Sequence, residues 1–375
     1  MRRLAIVSNV VPPSASGQAI VLAKVLGGRP PGSYVLVATR PQIGPVAGEP
    51  LPAPTELAPE PRFRSAVLNV ILLPARVLVQ AFRIARAVRA HAAEVVVGLT
   101  GDLWDLPAAL IAARLAHARF VACLFDDYVH QWPNRVMRAV ARRLEPIVLR
   151  HASAVLVTNE IFAESVRRRT GVTASIMRMP GAEVTRGDEP VQQGTIVYTG
   201  AVYAAHFDAF RNLLAAIDRL DANVTLHLHT GTTDEELAAA GISGRLVRHG
   251  HRSAAEVLVL QARADILFMP LAFEGPYHPE LIRTSAPSKL GEYLAAGRPV
   301  LAHVQADSFV AWYLTRYDCG VVVSERDPAA LAAALERLLH DGELRERLVR
   351  NARTRAAQDF ALPVVWAAFA EAVDG

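Results

Sequence analysis

Short runs of branched apolar residues, each leading into a stretch of helical periodicity, recur from end to end of this chain and constrain its fold more than any other feature. Residues 4–8 form such a run. A loop of small residues follows at 9–17, and an apolar pattern of helical period occupies 18–26. Further strand-like runs stand at 34–38, 94–99, 119–125 and 154–158, with amphipathic stretches between several of them. Strands alternating with helices specify a parallel sheet covered by helices. From 179 to 193 the pattern lapses into Pro, Gly, Glu, Asp and Gln, the composition of an exposed connector. It then restarts, with strands expected at 195–198, 224–229, 246–249, 266–269, 299–303 and 320–323, and helices at 207–220, 254–262, 288–296, 328–339, 343–358 and 363–373. The reading is α/β, with two Rossmann-like doubly wound domains, residues 1–185 and 190–359, facing across a cleft.

A chain of 375 residues suits two such cores, because single cores stop growing well before this length. Hydrophobic residues make up 52%, yet much of this is alanine within charged helical stretches. The most apolar region, 66–82, is interrupted by Asn69, Pro74 and Arg76, short of the roughly 20 uninterrupted residues of a spanning helix. Residues 1–10 lack a signal-peptide core. The expected location is cytoplasmic. Cys123 and Cys319 fall in different halves and exclude a disulfide framework; neither has zinc-type spacing, and both read as packing thiols. The net charge is only +4, but arginines crowd the first half, at Arg76, Arg83, Arg86 and Arg89 and again at Arg135, Arg138, Arg142 and Arg143. They read either as solvated helix faces or as a surface for an anionic acceptor or lipid leaflet, which would hold the protein peripherally at the inner membrane face. No nucleic-acid partner is expected.

Ligands of open α/β sheets bind beyond the carboxyl ends of the strands, which leaves six candidate loops: 9–17, 100–105, 126–132, 199–206, 249–253 and 270–288. The last leads into a helix with labelled ends: Ser285 near the N-cap, Pro287 in the first turn, Gly297 at the C′ position and Pro299 after the stop. Free N–H groups and the positive dipole end favour an anion there. Ser288 and Lys289 would meet a diphosphate, and Lys289 could neutralise charge on a departing one. Glu292, at i+3, can accept both hydroxyls of a ribose; the same spacing also suits a plain Lys289–Glu292 surface pair. Gly17 opens a helix whose first N–H groups suit an anion, or marks only a turn. Asp126, Asp127 and His130 follow a strand, where they could orient or deprotonate an acceptor hydroxyl, or cap a helix. Gly200 lies in the loop after the first strand of the second half, and His249, His251 and Arg252 in the loop 249–253.

The segment Pro287-Ser288-Lys289-Leu290-Gly291-Glu292-Tyr293-Leu294-Ala295-Ala296-Gly297-Arg298-Pro299-Val300 resembles the donor-binding helix of GT-B glycosyltransferases, in particular the family 4 type. The likeness continues through Val247-Arg248-His249-Gly250, Ala264-Asp265-Ile266-Leu267-Phe268-Met269-Pro270-Leu271, Cys319-Gly320-Val321-Val322-Val323 and Asp327-Pro328-Ala329-Ala330-Leu331, in the family's order. It implies a UDP- or GDP-sugar donor, no required metal or other cofactor, and retention of anomeric configuration. It implies a lipid-linked, glycan or small-molecule acceptor bound by the first domain, closure of the domains to exclude water, and a final helix, 360–375, packed back on the first domain. Two departures stand out. The family's second glutamate, eight positions before Glu292, is Thr284 here, and the Arg and Lys that commonly follow the first strand of the donor domain are missing from 198–206. Lys289 and the helix N-terminus, with Arg252 or Arg283, then carry more of the phosphate charge. A sugar-nucleotide epimerase of the same architecture and a non-catalytic nucleotide-sugar-binding protein are the alternatives.

Overall fold

The computed structural model describes residues 1–14, 16–41, 50–61, 64–65, 68, 71–183, 189–220 and 223–375. They form two compact units, Met1–Pro180 with Leu362–Gly375, and Gly181–Ala361. The expected boundary at residue 185 lies outside the described residues.

The first unit holds strands β1 (Leu4–Ser8), β2 (Tyr34–Ala38), β3 (Thr55–Leu57), β4 (Val95–Leu99), β5 (Arg119–Leu124), β6 (Ala154–Val157) and β7 (Ser175–Ile176), in the order β3-β2-β1-β4-β5-β6-β7 and parallel throughout. Its inner strands are apolar at nearly every position because both faces are covered. Ala5 and Val7 meet one helical layer, made by Leu73–Ala90, Asp105–Leu115, Arg135–Arg150 and Glu160–Thr170. Leu4 and Ile6 meet the other, made by Gly17–Gly27 and the final helix Leu362–Asp374, which contributes Val365, Phe369 and Val373. Gly98 permits close packing on the first side: a Cβ there would stand 3.0 Å from the Phe120 ring and 3.1 Å from Ala109 Cβ.

The second unit repeats the plan with β8 (Thr195–Thr199), β9 (Thr225–His229), β10 (Leu246–His249), β11 (Ile266–Pro270), β12 (Val300–His303) and β13 (Val321–Val323), in the order β10-β9-β8-β11-β12-β13. Strand order reverses between β8 and β11, so the loops leaving their carboxyl ends diverge and open a crevice, the usual ligand position in a doubly wound sheet. The same reversal falls between β1 and β4 in the first unit.

The main strands and helices lie within a few residues of their expected positions. Unread in the sequence were the edge strands β3 and β7 and the helices Asp234–Ala239, Pro279–Arg283 and Phe309–Arg316. By length and composition alone, Gly342–Asp374 is apolar enough to cross a membrane. Its backbone breaks at Ala361 (φ −61°, ψ 137°), and the helix beyond sinks Val365, Phe369 and Val373 into the first unit's core.

Candidate functional site

The second unit's crevice is built around the carboxyl end of β8. Tyr198 and Thr199 end the strand, and Gly200 turns the chain at φ +120°, a conformation open to glycine and strained for other residues. The side chain of Lys289 lies against this turn: a Cβ on Gly200 would touch Lys289 Cε at 3.5 Å and Nζ at 3.6 Å. The ammonium stands over the Tyr198 ring, 4.9 Å from its centroid. Burial lowers the Lys289 pKa to about 8, with the Glu292 carboxylate pulling the other way. The cation is therefore present at neutral pH but weakly solvated, a state that strengthens its attraction to an anion.

One turn along, Glu292 Oε2 accepts from Gln261 Nε2 at 3.4 Å, and the same nitrogen donates to Thr199 Oγ1 at 2.9 Å. Gln261 is fully buried, and its Oε1 has no hydrogen-bond partner. Tyr293 OH accepts from Thr199 N at 3.2 Å, fixing the helix to the strand end. The helix spans Lys289–Ala295 and closes with Gly297 at φ +75°, as its sequence requires. Its start differs from expectation. Ser285 lies three residues ahead of the cap in non-helical chain, its N–H donating to Ile282 O at 3.2 Å. Leu290 N donates to Pro287 O at 3.0 Å, so a tight turn at the proline opens the helix and Ser288 takes the cap position, with no side-chain cap bond. Thr284 ends the preceding short helix, with its hydroxyl donating to Glu280 O at 2.8 Å. Arg283 is paired with Glu280 at 2.7 Å.

His249 and Arg252 line a cavity of about 680 Å³ between the sheet and the helix Ala254–Arg263, with Val197, His227, His229 and Val259. The rings of His229 and His249 stack at 4.3 Å, and His227 Nδ1 is 3.1 Å from His249 Nε2. Burial, reinforced by the neighbouring imidazoles and Arg252, lowers the His229 pKa to about 4; His227 and His249 are lowered for related reasons. All three rings are neutral at pH 7, flat faces suited to stacking on a planar ligand. His251 is exposed. On the far side of the crevice, Asp208 Oδ2 accepts from Phe273 N at 2.8 Å and Glu274 N at 2.9 Å, holding the loop after β11.

In the first unit, Asp126 is exposed just beyond the end of β5. Asp127 turns inward. Its Oδ1 accepts from His130 N at 2.9 Å and lies 3.1 Å from His130 Nδ1, and its Oδ2 is 3.0 Å from Arg169, which also pairs with Glu145 at 2.7 Å. Burial alone would raise the Asp127 pKa, but His130 and Arg169 outweigh it and lower the value. The geometry therefore gives the Asp127 carboxylate the work of a turn cap and a buried ion pair. Gly17 opens its helix with open space around it, one residue after the cap Ser16, whose Oγ accepts from Ala19 N at 3.1 Å. Both cysteines are buried free thiols, each pushed up to about 12 by burial.

Residues 193–341 match the family described as Glycosyl transferases group 1. The matched stretch lies within the second unit, which is therefore similar to the group 1 glycosyl transferases. This places the chain in the glycosyltransferase class of enzymes. Among solved structures, HepE of Anabaena in complex with UDP and glucose aligns over 100% of both chains at TM-score 0.69 and 14% identity. Sucrose-phosphate synthase from Thermosynechococcus elongatus aligns at TM-score 0.69 and 16% identity, over 99% of this chain and 98% of that one. Trehalose 6-phosphate synthase from Burkholderia multivorans aligns at TM-score 0.68 and 13% identity, over 100% of this chain and 98% of that one. At such identities these likenesses establish the fold, GT-B, for the whole chain. No curated protein sequence matches it.

Of the residues expected at a glycosyltransferase donor site, the structure brings Gly200, Lys289 and Glu292 together at one strand end and places His249 and Arg252 on the adjoining cavity. Tyr198, Thr199, Gln261 and Tyr293 complete the arrangement and were not foreseen. The one sequence signal for Gln261 is an uncharged polar side chain amid the apolar positions of its helix.

Proposed function

We propose that this chain transfers a sugar from a nucleoside-diphosphate donor, a UDP- or GDP-sugar, to an acceptor hydroxyl, with retention and without a required metal. The observation that carries the reading is the Lys289 ammonium held against the Gly200 turn at the strand-order switch, one helical turn from Glu292. A diphosphate seated there faces the lysine and the first N–H groups of its helix; as the glycosidic bond to phosphate breaks, the leaving oxygen gains charge that Lys289 offsets. Glu292 accepts from the ribose, and the base enters the cavity lined by His249 and Arg252. The structure of the similar HepE in complex with UDP and glucose supports this class of donor. With Asp127 committed to Arg169 and His130, the exposed Asp126 is the group to manage the acceptor proton. The buried, unpaired thiols suit a cytoplasmic location.

The test is product analysis of the purified chain supplied with UDP- and GDP-sugars, with and without candidate lipid-linked, glycan and small acceptors. Acceptor-dependent release of the nucleoside diphosphate, an unchanged anomeric configuration by proton NMR and insensitivity to chelator support the reading. Interconversion of sugar nucleotides without an acceptor establishes an epimerase instead, and binding without turnover a non-catalytic protein.

A further inference from the structure

Helices Leu73–Ala90 and Arg135–Arg150 lie in the same layer of the first unit and pack their inner sides into one core. Their outer sides are unusual for a helix facing water. On the first, Ala75, Leu78, Phe82, Arg86 and Arg89 follow the helical repeat along one exposed stripe, with Val79 beside it; Phe82 is 57% exposed and Leu78 45%. The stripe is apolar in its first half and basic in its second. On the other helix, Arg135, Val136, Arg142, Arg143 and Ile147 are exposed, Val136 at 70%. The first helix has no acidic residue, and the single one in the second, Glu145, is buried against Arg169. Among the described residues Arg86, Arg135, Arg142 and Arg143 make no ion pair. A solvated helix of this length would carry carboxylates at i, i+4 to its arginines, as Glu164 does for Arg168 in the same layer.

We infer that the outer side of this helical layer, carried by these two helices on either side of Asp105–Leu115, docks on an anionic phospholipid surface, with Leu78, Val79 and Phe82 entering the headgroup boundary and the arginines meeting lipid phosphates. Large apolar side chains in line with unpaired cations are what an interfacial helix presents to a bilayer. Complementary charge selects anionic lipid, and these two helices carry no exposed carboxylate to oppose it. The inference rests on this surface alone and is independent of the donor-site reading.

Flotation of the full chain with vesicles tests it, comparing phosphatidylcholine alone with phosphatidylcholine mixed with phosphatidylglycerol. The wild type floats with the mixed vesicles and stays behind with phosphatidylcholine alone. The triple substitution Arg86→Glu, Arg142→Glu and Arg143→Glu lowers partitioning at least roughly a hundredfold, since each arginine near such a surface contributes about fivefold. Leu78→Ser with Phe82→Ser lowers it as well. These side chains are exposed, so circular dichroism melting matches the wild type for both variants. Failure of the wild type to float with the mixed vesicles overturns the inference. So does equal flotation of the Leu78/Phe82 variant combined with wild-type binding to a soluble polyanion as tight as to vesicles, which assigns the face to a soluble anionic partner.

Discussion

Replacing Lys289 with methionine removes the ammonium and keeps an unbranched side chain against Tyr198 and Gly200, so the packing of the turn is retained. A charge-assisted hydrogen bond to phosphate is worth about 1.5–3 kcal/mol. Nucleoside-diphosphate affinity in Lys289→Met therefore falls by roughly 10- to 150-fold. The wild type carries a second signature. Burial places the lysine pKa at about 8, so the binding-competent cation is complete below that pH and is lost as pH rises through it. A bound diphosphate stabilises the charged form and returns its pKa to about 10.4 or above. Between these two values each pH unit costs about tenfold in affinity, so the dissociation constant rises about a hundredfold from about pH 7 to about pH 10. Isothermal titration calorimetry with UDP and GDP over this range reads both effects. An equal slope in wild type and Lys289→Met, or equal affinity at neutral pH, refutes the assignment of Lys289 to the phosphate.

Asp105 is buried beside Gln80, and burial raises its pKa from 3.8 to about 6. The folded state thus holds a proton that the unfolded chain has lost, and stability falls by up to about 3 kcal/mol as pH rises through that window. Asp105→Asn, with the Gln80 amide turned so that its partnerless Oε1 accepts, is more stable than wild type at neutral pH and gains little near pH 4, as urea titrations at both pH values will read. Arg169→Met leaves Asp127 and Glu145 buried without their cation and destabilises the first unit by about 3–5 kcal/mol in the same titrations. Gly291→Ala forces a Cβ to within 2.8 Å of Phe360 Cδ1 and 2.9 Å of Gly181 Cα, contacts with a buried ring and with backbone. The overpacking costs about 1–3 kcal/mol by denaturation, and donor affinity weakens as the Glu292 helix shifts.

The doubly wound plan was readable because parallel strands covered on both faces must be continuous apolar runs, as in Val95–Leu99 and Ile266–Pro270. The strands β3 and β7 are three and two residues long, half-exposed and partly polar, so their pairing comes from the neighbouring strand rather than from any run of their own. The helix Phe309–Arg316 carries three aromatic residues and buries most of one side, which blurs its period. At the donor site, Lys289 and Glu292 were legible because a single segment with labelled ends carries both. Ser285 misled because a serine two residues before proline fits the N-cap rule, whereas the turn at Pro287 moves the start to Ser288. Gln261 reaches Thr199 and Glu292 only because the helix following β10 packs beside β8, a tertiary neighbourhood that no local pattern encodes. Asp127 reads in sequence either as a base or as a cap; Arg169, some forty residues on, encloses it in a buried ion pair that neither reading contained.

A thermal-shift panel of nucleoside diphosphates and their sugar conjugates decides whether the second unit holds a nucleoside-diphosphate sugar through Lys289 and Glu292. A ligand bound at a hundred times its dissociation constant adds about 2.7 kcal/mol to the folded state. For a unit of this size that raises the melting temperature by roughly 5–10 °C. One nucleotide series stabilising the wild type by this much, with the shift erased in Lys289→Ala and Glu292→Ala, is the predicted result. No shift from any nucleotide at millimolar concentration, or an equal shift in both variants, contradicts it.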